Sequence, residues 1–333
     1  MTDALLIGEE ELQRFHPGKR LAERGHALFL QQKSEWSLAR EGYASLGSVE
    51  FRRFAFDRFD IDVQFNPGRL TSSSASVDEA SIRARRCFLC PANLPPGQRG
   101  VAIGEEYLLL ANPYPIFPEH FTITHREHTP QRIAGTFPTF LQLSRELGSR
   151  YVVLYNGPKC GASAPDHLHF QAGSRGFLPI EKEYPLLKGQ RSELILRQPG
   201  LTLLAVEGYL RRCLIMESDR SETLVRAFQL LMEHLGSSDA PDEEPMVNIL
   251  SFYEGFWRVI LFPRAKHRPD FYHEKGDGRI LLSPAAVDLG GVCITPLEED
   301  FRKITRQNIV QMYDEICLPE ERFSQLKEAL RSQ

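Results

Sequence analysis

The sequence predicts an α+β chain: an antiparallel sheet with flanking helices, its pattern run twice. Three observations carry this. Short apolar or alternating runs at 107–111, 121–124 and 151–155 are bounded by turn residues. A stripe at helical spacing, Phe137, Phe140, Leu141, Leu143 and Leu147, falls between the second and third runs and stops at Gly148. The order strand, strand, helix, strand, loop, strand then recurs more weakly in the second half.

Taken in order, residues 1–60 are charged and mixed, with a helix expected over 21–32. Phe65-Asn66-Pro67-Gly68 reads as a turn and 71–76 as a polar, small-residue loop. The strand at 107–111 must break at Asn112-Pro113-Tyr114-Pro115, because proline cannot donate to a ladder. A glycine- and proline-bearing loop, 156–166, precedes a strand expected at 167–171. In the second half, Ser221 is placed to cap a helix carrying Leu224, Phe228, Leu231 and Leu235, ended by Gly236. Runs at 246–250 and 257–262 read as a strand pair, and 291–295 as a further strand. One last helix carries Phe301, Ile304, Ile309, Met312, Tyr313 and Ile316. The expected division is a first half, 1–180, holding the chemistry, and a degenerate second half, 181–333, packed against it.

With 333 residues and 42% hydrophobic content, a real core can form. The net charge of -4 offers no field for a nucleic-acid polyanion, so any phosphate affinity must be local. No run has the length of a membrane span, and the start lacks the basic and apolar segments of a secretory signal. Six cysteines are too few for a disulfide scaffold in a chain this long. A cytoplasmic setting is expected.

The chemistry concentrates at His167-Leu168-His169-Phe170-Gln171. In a strand of period two, His167, His169 and Gln171 share a face while Leu168 and Phe170 point to a core. The loop before it, with Gly157, Gly161 and Pro165, lets backbone N–H groups approach an anion, and Ser163 adds a hydroxyl. Lys159 could neutralise a phosphate there. Neutral imidazole is available at physiological pH and attacks phosphorus in line, after which an acceptor takes the transferred group.

At these residues the chain resembles the histidine-triad superfamily, in its nucleotidyltransferase and phosphorylase branch. The match rests on Tyr155-Asn156-Gly157 through Gly161-Ala162-Ser163, on the histidine strand, and on Asn112-Pro113-Tyr114-Pro115 with His120-Phe121-Thr122-Ile123 and His128. The resemblance implies that His169 is the nucleophile and that the carbonyl of His167 orients its ring. It makes Gln171 a donor to a phosphoryl oxygen, Ser163 and Asn156 phosphate contacts, and Asn112 a ribose contact. Gln171 stands where the superfamily's hydrolases carry a third histidine. In the family that exchange goes with transferases and phosphorylases, and physically an amide cannot relay a proton as imidazole does. Asp166 is one residue more than related loops hold, which bears on where Ser163 sits.

Cys87-Phe88-Leu89-Cys90 has zinc-knuckle spacing. The resemblance implies His128 and His167 as the remaining ligands of a structural Zn2+, with His125 a nearby competitor to His128. The implied substrates are a nucleotide or nucleotide sugar and a phosphate or sugar-phosphate acceptor, with no nucleic acid or membrane partner and a homodimer as an option. Two other readings stand beside this one: a non-catalytic, zinc-stabilised nucleotide-binding module, and a slow nucleotide hydrolase. Arg175 and the run Arg264, Lys266, His267 and Arg268 could meet a phosphate, and Asp242-Glu243-Glu244 reads as exposed loop.

Overall fold

The computed structural model describes residues 5–70, 78–236 and 243–332. Its strands are β1 Glu50–Ala55, β2 Asp60–Phe65, β3 Gly100–Ile103, β4 Tyr107–Ala111, β5 His120–His125, β6 Tyr151–Asn156, β7 His169–Ser174, β8 Ser192–Gln198, β9 Leu201–Val206, β10 Cys213–Ser218, β11 Val247–Tyr253, β12 Trp257–Pro263 and β13 Val292–Thr295. Ten of them form one sheet in the order β3-β4-β5-β7-β6-β11-β12-β10-β9-β8. Read from either edge towards the centre, the two halves have the same succession, and β6 pairs antiparallel with β11 where they meet. The α+β class and the twofold pattern are as the sequence predicts.

One face of the sheet is covered by helices Leu21–Glu35, Phe137–Leu147 and Ser221–Leu235, whose apolar stripes meet Phe121, Tyr151, Tyr155 and Phe170. The equivalent helices of the two halves touch through Phe137 and Phe228, stacked with centroids 3.8 Å apart. The other face carries Val152, Leu154, Leu250 and Ile260. A small sheet β1-β2-β13 and helices Pro179–Gln190 and Arg306–Ile316 cover it. Since β13 pairs parallel with β2, the second half reaches across to close the first.

Several expectations need correction. The histidine strand starts at His169, not His167; residues 165–168 are still turning, so His167 lies outside the ladder. The last helix is broken: Glu298–Lys303 ends at Ile304, and Thr305 caps Arg306–Ile316 by accepting from Asn308 N at 3.2 Å. A further helix, Glu320–Arg331, follows. Ser221 is the first helical residue, with Arg220 at the cap position. The hairpin β1-β2 and strands β3 and β8 to β10 were not foreseen. The loop expected at 71–76 lies outside the described residues. No helix among the described residues is long and apolar enough to cross a membrane.

Candidate active site

The Cys87–Cys90 turn brings two thiols against the approach to β7. The ligand atoms of Cys87, Cys90, His128 and His167 all lie within 4.8 Å of one another. Cys87 Sγ is 3.3 Å from His167 Nδ1, and Cys90 Sγ is 3.4 Å from His128 Nδ1. His167 Nε2 donates to the carbonyl of His125 at 2.8 Å, which leaves the Nδ1 lone pair facing the sulfurs. The ring of His125 is occupied elsewhere: its Nδ1 lies 3.1 Å from Glu127 N, which donates to it. His128 therefore takes the place that His125 might have contested. Burial, and then the neighbouring Cys87 thiol, push Cys90 up to about 11, so a thiolate pair here needs a cation beside it. Two thiols and two imidazoles with outward N–H groups held by carbonyl or carboxylate are a donor set that fits a metal ion. Asp166 Oδ2, 3.6 Å from His128 Nε2, is the outer partner of the second histidine.

His169 sits where β6 and β7 part. Their ladder ends at Leu154 opposite Gln171, one step short of Asn156 and His169. Gln131 replaces the missing rungs. Its Oε1 accepts from His169 N at 2.8 Å, and its Nε2 donates to the carbonyls of His169 (3.0 Å) and Asn156 (2.9 Å). The ring is then held by Nδ1–H donating to the His167 carbonyl at 2.8 Å, so the lone pair is on Nε2. Burial pushes the His169 pKa down to about 4, and the His167 carbonyl opposes this only in part.

Two amides flank this ring on the same face, and both are held by their oxygens. Gln171 Oε1 accepts from His120 Nε2 at 2.9 Å. His120 Nδ1 accepts from Ile116 N at 3.2 Å, so the proton must be on Nε2. Asn156 Oδ1 accepts from Asn248 Nδ2 and from Ala286 N, both at 2.8 Å. Asn248 is in turn oriented by Arg264 Nη1 at 2.5 Å. With each oxygen saturated, each NH2 is the end left to face a ligand, and neither has a protein partner among the described residues.

The loop before β7 is moulded by the second half. Gly161 has φ +92°, and a Cβ there would come within 2.7 Å of Ala285 Cβ, so the position demands glycine twice over. The Ser163 carbonyl and Asp166 Oδ1 both accept from Arg85 Nη2 at 3.2 Å. Asn112 Oδ1 accepts from Tyr114 N at 2.9 Å, an Asx turn, while Nδ2 reaches Thr122 Oγ1 at 3.4 Å. Lys159 Nζ is on Glu243 at 2.5 Å at the exposed edge of the loop. Arg264 is no free phosphate binder: it is buried and spent on the carbonyls of Ile316, Pro284, Lys266 and His267 and on Asn248. Arg175 is held by Glu181 and Glu254. Glu244 is not exposed loop; it accepts from Tyr155 Oη and Ile133 N, both at 2.5 Å, and Asp242 lies outside the described residues. Gln131 and Asn248 were missed because a lone amide carries no motif; only its partners reveal it.

Residues 28–174 match the family model of a domain of unknown function, DUF4922, and residues 185–333 match the GDPGP1-like C-terminal domain. Among solved structures, yeast Ap4A phosphorylase Apa2 in complex with AMP is similar at 18% identity and TM-score 0.57, over 94% of this chain and 98% of that one. The same enzyme in complex with Ap4A is similar at 17% identity and TM-score 0.55, over 85% and 96%. A uridylyltransferase mutant follows at 11% identity and TM-score 0.39, over 85% and 98%. No curated protein matches the chain. The chain therefore shares the fold of the Ap4A phosphorylase, and its residues 185–333 match the GDPGP1-like C-terminal domain.

Proposed function

We propose that this chain is a nucleotidyltransferase of the phosphorylase type that works through a nucleotidyl-histidine at His169. One observation carries the reading: a bare Nε2 on a ring locked by the His167 carbonyl, between two amide NH2 groups whose oxygens are held by the scaffold. In the first displacement Nε2 attacks the α-phosphorus of a dinucleoside polyphosphate or nucleoside diphosphate sugar. The N–P bond forms as the P–O bond breaks, and the electron pair leaves with the oxygen. The imidazole ring turns cationic, and the His167 carbonyl stabilises it at Nδ1–H. An oxygen of phosphate or a sugar phosphate then attacks the same phosphorus, and His169 leaves neutral. Asn156 and Gln171, with the Ser163 hydroxyl and the Gly161 backbone, hold the phosphoryl oxygens; Asn112 meets the ribose. Lys159 would join only by giving up Glu243.

Cys87, Cys90, His128 and His167 would hold Zn2+ in a closed, structural site. Its effect on the chemistry runs through His167, whose backbone carbonyl aligns His169. The palindromic strand order supports two halves that divide between β7 and β8, and six free thiols support a reducing, cytoplasmic setting.

The solved relatives' names, with AMP and Ap4A, supply the first substrates to try. The protein is incubated with Ap4A or a nucleoside diphosphate sugar without acceptor, and its intact mass is measured. An acid-labile nucleotidyl adduct is expected, discharged by phosphate and absent from His169→Ala. Unchanged turnover in His169→Ala defeats the proposal. Nucleotide binding without exchange points to a sensor, and product formed equally well without phosphate points to a hydrolase.

A further inference from the structure

A leaving phosphate carries negative charge, and the side chains proposed to hold its phosphoryl oxygens, Asn156, Gln171 and Ser163, are neutral. Amides and a hydroxyl can hold equatorial oxygens, but a departing phosphate or an incoming one calls for a cation. Of the cations singled out in the sequence, Lys159 stands outside on Glu243, Arg175 is paired twice, Arg264 is buried among carbonyls, Lys266 is held by Asp270 and Glu315, and Arg268 Nε donates to Ser283 Oγ.

Arg69 lies elsewhere in the chain, against the turn that leads into the first residue of β5. It closes a short turn, Pro67–Arg69, that follows β2. Asn66, buried at its start, fixes the turn: its N–H donates to the Thr295 carbonyl at 3.0 Å, and Nδ2 donates to the Pro115 carbonyl at 3.1 Å. Arg69 Nη1 donates to the Tyr114 carbonyl at 2.9 Å, in the Asn-Pro-Tyr-Pro turn that leads into His120. His120 is bonded to Gln171, and their strands are in register through Thr122 opposite Gln171 and His120 opposite Gly173. The residues therefore run Asn156, His169, Gln171, His120, Arg69 across one face. The guanidinium is near enough to His120 to add to the burial that depresses that ring, and near enough to Asp288 to feel its charge. Arg69 is half-buried, and neither Nε nor Nη2 takes a protein partner among the described residues.

We propose that Arg69 supplies the charge of a phosphate subsite beside Gln171, which the leaving group vacates and the acceptor phosphate enters. One subsite serves both because each displacement is in line with the bond to His169 Nε2. The group that departs and the group that arrives use the same side of phosphorus. This rests on the nucleotidyl-transfer reading above and adds to it the residue that reads the acceptor.

The test uses the full chain with Arg69→Gln and Arg69→Lys. The nucleotidyl adduct is formed from Ap4A, isolated, and discharged with inorganic phosphate, while AMP affinity is measured by calorimetry. Loss of one charge-assisted hydrogen bond predicts a rise in the phosphate KM of about 10- to 100-fold in Arg69→Gln, with Arg69→Lys in between. AMP, which has no leaving group, should bind as to wild type. An unmoved phosphate KM overturns the proposal, and so does an AMP affinity that falls in step with it. Should Arg69→Gln not fold, Arg69→Lys keeps the charge but loses the fork, and its phosphate KM decides. Wild type that forms no adduct defeats the parent reading alone. Arg69 is then judged by tripolyphosphate binding, and equal affinity in wild type and variant overturns it.

Discussion

The two halves of the sheet differ most where they are most alike. Leu154 of β6 and Leu250 of β11 pair with each other at the centre. Moving outwards, the first half continues through Gln171 and Thr122, and the second through Ile260 and Ile215. The backbone layer is the same; a polar pair has become an isoleucine pair. Between β6 and β7 runs the long loop 157–168, whereas β11 and β12 are joined by the tight turn 254–256. Isoleucine closes its half into core, while Gln171 stays partly exposed and spends its oxygen on His120. The second half then serves as a mould. Its Asn248, Arg264, Ala285 and Ala286 shape Asn156 and the loop at Gly161.

If this asymmetry is right, the largest structural effect comes from the first half's Cys87, Cys90, His128 and His167 group. Cys87→Ser with Cys90→Ser should abolish bound zinc by elemental analysis and lower Tm by several degrees, since a closed Cys2His2 site contributes directly to folding. A wild-type protein purified without chelator that contains no zinc removes the metal assignment.

Next comes the mould. Asn248→Ala removes the shortest hydrogen bond of buried Arg264, whose Nη1 keeps the Pro284 carbonyl at 3.3 Å, and one of the two donors to Asn156. A loss of about 1.5–3 kcal/mol by urea denaturation is expected from losing a hydrogen bond to a charged group. Turnover should fall further than the stability loss accounts for, and turnover equal to wild type would make the second half a passive scaffold.

A smaller effect is expected at His120. Burial pushes its pKa down to about 3, with Arg69 assisting, against an ordinary value of 6.5. The unfolded chain therefore takes up this proton more readily than the folded one. The stability due to neutral His120 is full above pH 6.5 and drains as pH falls towards 3. His120→Gln should flatten the fall of the urea midpoint between pH 6.5 and 4, and an unchanged slope would place the acid sensitivity elsewhere. Smallest is Arg258→Ala on β12, two residues before Ile260 and paired with Glu254 at 2.8 Å. Stability should move by no more than about 0.5 kcal/mol and activity not at all. A lost activity would mean that the second half hides a site of its own.

Much of the site was legible because its chemistry is bound to spacing. The C-x-x-C pair, the two histidines two residues apart and the Asn-Pro-Tyr-Pro turn are local patterns, and the structure brings Cys87, Cys90, His128 and His167 together as the resemblance implied. The error over where the strand begins has a plain cause. Alternation places His167 and His169 on one face of an ideal strand, but His167 is drawn off the ladder towards the thiols, and the strand begins two residues later. Arg69, Gln131, Asn248 and the role of Glu244 were illegible, because each acts through a partner far along the chain.

Periodicity, breaker residues and motif spacing were enough to establish the sheet-and-helix class and the twofold pattern, since those signals are carried by neighbours in sequence. The direction in which each amide points, the nitrogen of His120 that holds the proton, and the conversion of Arg264 from apparent phosphate ligand to buried brace came only with folding. Hydrogen-bond partners are chosen in three dimensions, and a donor or acceptor has no orientation until the distant group that saturates it is in place.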